Sequence, residues 1–102
     1  MGIERELDLS AFHKIANQRA DLQKQAEQEY SVLVNDLIRS NCQDANRIAL
    51  TLDGLLSFAA EGECLLLYRR LCKHLFAFDP QCAADYIEYW SEMWDEKRER
   101  FG

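Results

Sequence analysis

Between Ser10 and Asp53 the chain contains neither a glycine nor a proline. These two residues break helices most strongly, glycine through backbone freedom and proline through its missing N–H. The stretch therefore suits long, uninterrupted elements. The whole 102-residue chain holds only one proline and four glycines, which argues against a β sandwich with a turn roughly every ten residues.

The spacing of apolar residues says which elements to expect. Phe12, Ile15, Ala16, Leu22, Ala26, Tyr30, Leu33, Val34, Leu37 and Ile38 recur at intervals of three and four, keeping one face of a helix over residues 10–39. Ser40 and Gln43 then fit a capping box that would open a second helix over 41–58. That helix gathers Ala45, Ile48, Ala49, Leu52, Leu55 and Leu56 on one side, and leaves Leu50 and Phe58 outside as a second contact face. Gly62 reads as its stop signal. A third helix over 62–78 is the most apolar, and Leu65, Leu67, Tyr68, Leu71, Cys72, Leu75, Phe76 and Phe78 cover about half its circumference. Asp79-Pro80 opens the fourth helix, 80–99, with aspartate as N-cap and proline where a missing N–H costs nothing.

On a wheel of the fourth helix, Ala83, Tyr86, Ile87, Trp90, Met93 and Trp94 share an arc of about 120°. Asp85, Glu88, Glu92, Asp95, Glu96 and Glu99 hold the opposite side, with Tyr89 at the border. The tryptophans are thus expected in the core against the third helix, and the acids in solvent. Short connections between amphipathic helices imply antiparallel neighbours. The expected fold is all-α: a compact four-helix bundle in one domain, 1–102, with an unusually long first helix.

That length has a consequence. The first helix should span about 43 Å and each of the others about 26 Å, so one end overhangs the bundle unless the helix breaks. The polar-rich N-terminal half carries a thin apolar seam, and a seam without a partner in its own chain tends to find one in another. A homo-oligomer, most simply a two-fold dimer, is the expectation. Arg19 sits in that seam, where its stem can pack while its head reaches water or an acid across the interface.

A net charge of −6 argues against binding to nucleic-acid phosphates or anionic membranes. No apolar run is long enough to cross a bilayer, MGIERELD lacks a signal-peptide core, and Glu6 stands where a myristoylation signal wants Ser or Thr. A cytoplasmic, unanchored protein is expected. Without a close pair or a secretion signal, Cys42, Cys64, Cys72 and Cys82 read as reduced, small hydrophobes. Cys42 and Cys82 fall in the first turns of expected helices, where a thiol pKa can drop, but neither has a histidine nearby in sequence to act as base. The cysteines, His13 and His74 show no zinc-ligand spacing. No phosphate loop or nucleophile elbow is present. The chain is therefore expected to have no enzymatic activity, cofactor or metal.

What remains is protein binding. The candidate contact residues are Arg19 and Leu22 on the seam, Leu50, Phe58 and Leu66 outside the main apolar arcs, and Tyr89, Glu92 and Glu96 at the acidic side. An alternative is a small acidic inhibitor, encoded by a mobile element, whose carboxylates imitate phosphates to a basic nucleic-acid-binding enzyme. A third reading makes LYRRLCKHL, residues 67–75, a DNA-recognition helix. The acidic helix that follows it argues against that.

Overall fold

The computed structural model describes the backbone of residues 9–95 and the side chains of residues 17–95. It contains α1 (Leu9–Arg39), α2 (Ala45–Leu56), α3 (Gly62–Phe76) and α4 (Pro80–Trp94), with no strand among the described residues. The all-α bundle with a dominant first helix is the architecture expected from the sequence. Phe12, His13, Ile15, Ala16, Glu96 and Glu99 lie outside the described side chains.

α1 runs unbroken for 31 residues, about 46 Å. It ends at Asn41, whose φ of 53° puts it in the left-handed region. There the Cys42 N–H reaches back to the Leu37 carbonyl (2.9 Å) and the Asn41 N–H to that of Ile38 (3.0 Å). This pair of bonds is a Schellman closure. It corrects the expected capping box: Ser40 finishes α1 instead of starting α2. The N-cap of α2 is Asp44, whose carboxylate accepts the N–H groups of Asn46 and Arg47. α2 is accordingly 12 residues long, shorter than the expected 41–58, and Cys42 sits in the loop before it rather than in a first turn.

Two glycines answer local steric demands. Gly54 lies in the last turn of α2, where the phenol end of Tyr30 from α1 occupies the space a Cβ would need. Gly62 was expected to stop the second helix, yet it begins α3 with φ 72°. Its left-handed backbone, natural to glycine, turns the chain after the 57–61 connector. Asp79 and Pro80 behave as expected, the carboxylate accepting from the Cys82 N–H at 3.2 Å.

α3 is the central element and packs on each of the other three helices. Leu67, Tyr68, Leu71 and Leu75 are buried with Val34 and Leu37 of α1, Ile48, Leu52 and Leu55 of α2, and Ala83 and Tyr86 of α4. The few polar groups inside are bonded. Tyr68 donates to the Tyr86 carbonyl at 2.6 Å, and the Tyr86 hydroxyl donates to Asp53 at 2.8 Å, tying α3 and α4 back to α2. Burial without such bonds would cost about 1–3 kcal/mol per group.

The two tryptophans are half-buried: Trp90 lies beside Leu65, Tyr68 and Cys72 of α3, and both indoles also reach the end of α2. Trp90 donates its indole N–H to the Ala59 carbonyl (2.7 Å) and Trp94 to that of Leu56 (2.9 Å). Gln23 of α1 donates to the Phe58 carbonyl at 2.9 Å. Three side chains thus satisfy the carbonyls freed where α2 ends, which is why indoles rather than phenyl rings suit these positions. Other expected core members are surface residues: Phe76, Ile87 and Met93 are 55%, 53% and 52% exposed. Four helices cannot surround an apolar arc as wide as that of α3, so its outer edge and the adjoining edge of α4 stay open.

Candidate interaction surfaces

The first candidate surface is the free part of α1. Among the described side chains of that helix, Ala26 is the first that is buried, and Gln23 makes the first hydrogen bond to another element. Everything from Asn17 to Leu22 is exposed. The helix therefore projects from Leu22 back to Leu9, about 21 Å beyond the bundle. Arg19 and Leu22 lie on this projection, Leu22 at 58% exposure. Leu33, three turns further on and so on the same face, is also exposed. The expected overhang is present, and it is the N-terminal half of the helix.

The second surface was not evident from sequence patterning. α3 and α4 enclose an open groove of about 560 Å³, floored by Tyr68 and Trp90 and walled by Leu65, Cys72, Phe76 and Ile87. Arg69 and Lys73 stand among its lining residues. Neither cation has an ion pair among the described residues. The signal was available in one form. Leu65, Cys72 and Phe76 extend the α3 arc beyond what a single core-facing stripe requires.

The remaining candidates are scattered. Leu50 and Leu66 are exposed on α2 and α3. Phe58 is half-buried and packs in the bundle, its ring centroid 6.4 Å from that of Tyr30. Tyr89 is exposed and meets Tyr86 edge-on at 5.1 Å. Glu92 is exposed on the acidic side of α4, while Asp85 accepts from Gln81. Glu96 lies outside the described residues. The seven described residues among those proposed from sequence thus occupy several surfaces and do not form one patch.

Three of the four thiols lie where their surroundings favour the protonated form. Burial pushes Cys72 up from its ordinary 9.0 to about 12, with Cys82 nearby adding to it. Burial, then Glu27 and Glu63, raise Cys64. Cys82 is raised by burial and by the carboxylates of Asp79, Asp85 and Asp53, which outweigh its place in the first turn of α4. A thiolate, the reactive form, is disfavoured at each. His74 donates through Nε2 to the Cys42 carbonyl at 2.7 Å and lies edge-on to Phe78, a packing role that fixes the α1–α2 loop on α3. Among the described residues no three His, Cys, Asp or Glu side chains converge in a metal-holding group, and no helix is long and apolar enough to cross a membrane. No family model, curated protein or solved structure matches this chain.

Proposed function

We propose that the protein is a non-enzymatic helical interaction module that works as a homodimer, with the projecting halves of α1 paired across a two-fold axis. The observation that carries this reading is the exposure of Leu22 and Arg19 on an unbroken helix that outruns its own bundle. A two-fold axis presents the same seam twice, so each apolar residue on it contributes from both copies. Arg19 would set the register, because a cation within an apolar seam tolerates only alignments that give its head an acid or water.

Leu22→Glu tests the reading. Burying a leucine contributes about 1.5–3 kcal/mol, and symmetry doubles the loss. The variant is expected to raise the dimer dissociation constant at least ~100-fold in sedimentation velocity. Its unfolding free energy as a monomer should stay within about 0.5 kcal/mol of the parent, as for other exposed substitutions. An unchanged sedimentation coefficient at every concentration would show that the seam is not the interface.

A further inference from the structure

The groove between α3 and α4 is lined by residues of those two helices alone. It is independent of the α1 seam. We propose that it receives an amphipathic helix with an acidic flank, supplied by a partner protein. Leu65, Arg69, Cys72 and Phe76 succeed one another at helical spacing along α3, so the groove runs for about 17 Å, the length of roughly three helical turns. A helix laid there would place its apolar residues, spaced three and four apart, against Trp90, Phe76 and Ile87. On the outer face of α4, Ala84 and Ser91 stand one turn either side of Ile87. Their small side chains let a second helix come close.

Charge decides which helix. The α3 side of the groove carries Arg69 and Lys73, both exposed and neither ion-paired among the described residues, in a chain whose net charge is −6. Two uncompensated cations beside an apolar floor favour an occupant whose flank carries Asp or Glu, and disfavour a basic one. A second copy of this chain is the wrong occupant on that ground. Its free segment, the α1 projection from Leu9 to Leu22, carries Lys14 and Arg19 against Asp21 alone, setting cations against cations. The occupant is therefore a different protein, and the molecule has two binding faces: one that pairs copies and one that takes the partner.

The test uses the full chain and two synthetic helical peptides of about 14 residues, long enough to fill the groove. Both carry the same stripe of leucines, one flanked by glutamates and the other by lysines. Tryptophan fluorescence reports binding, since Trp90 floors the groove. The glutamate peptide is expected to bind at least ~10-fold more tightly than the lysine peptide. The double variant Arg69→Glu/Lys73→Glu should reverse that order, and Ile87→Glu should weaken both peptides. Arg47→Glu, an equal type of charge change on α2, should leave the order intact. Equal binding of the two peptides, or an order that the double variant does not reverse, overturns the proposal. So does binding of anionic phospholipid vesicles that the double variant abolishes while neither peptide binds, which would make the groove a membrane face. Dissociation of the dimer by Ile87→Glu would overturn it too, by placing a second copy in the groove.

Discussion

Leu71→Ala is expected to lower the unfolding free energy by about 3–4 kcal/mol, whereas Leu66→Ala on the same helix changes it by no more than about 0.5 kcal/mol. Leu71 is fully buried, in the middle of the one helix that packs on all the others. Truncation removes its transfer free energy and also leaves a cavity. The lining of that cavity, drawn from more than one helix, cannot collapse onto a single neighbour. Leu66 is exposed and loses little by truncation. A domain of this size holds about 5–15 kcal/mol in all, so the first substitution removes a large fraction. Urea denaturation followed by far-ultraviolet circular dichroism measures both. A cost below about 1 kcal/mol for Leu71→Ala would mean that α3 is not the element around which the bundle is built.

The second large effect is alkaline. Cys72 keeps its proton in the fold up to about pH 12 against an ordinary 9.0. Tyr68 and Tyr86 are raised above their ordinary 10.0, first by burial and, for Tyr86, by its hydrogen bond to Asp53. All three are groups whose folded form holds the proton more tightly than the unfolded chain does. Below pH 9 both states are protonated at these sites, and the contribution is complete. Above it the unfolded chain releases the cysteine proton first and then the tyrosine protons, while the folded state retains them. The unfolded state then binds fewer protons, so stability falls by about 1.4 kcal/mol per pH unit for each such group. By pH 11 the three together remove up to about 5 kcal/mol. Denaturant titrations from pH 8 to 11 should show a curve that steepens above pH 10, and Tyr68→Phe should make it shallower in that upper window. A stability flat to pH 11 would contradict the buried placement of these groups.

The helices were legible in the sequence because their apolar spacing and the Asp79-Pro80 start are local signals. The junction between α1 and α2 was not, because two caps compete for the same four residues. Ser40 and Gln43 offer a capping box, but Asn41 tolerates left-handed backbone and Asp44 is the stronger N-cap, and together these two prevail. Among the described residues, the helical wheel of α4 separated the acids from the buried Tyr86 and the half-buried Trp90 and Trp94. It could not tell which part of the apolar arc would find a neighbour, so Ile87 and Met93 were grouped with Tyr86 although they face outward. The indole bonds of Trp90 and Trp94 depend on where the end of α2 lies in space, which no one-helix pattern records. The α3–α4 groove escaped for the same reason, since it is a property of two helices side by side.

The binding reading fits this distribution of surfaces. The interior is closed and its described buried polar side chains are all bonded, the thiols of Cys64, Cys72 and Cys82 are held protonated, and the apolar surface left over lies along a projecting helix and an open groove. Pairing through the projection is the central claim, and the mass of the chain in solution tests it most directly. Light scattering on the native protein should give about 24 kDa at micromolar concentration, twice the 11.9 kDa chain. A mass that stays at 11.9 kDa up to about 100 μM, where even a weak dimer held by about 5–6 kcal/mol would begin to form, would contradict it.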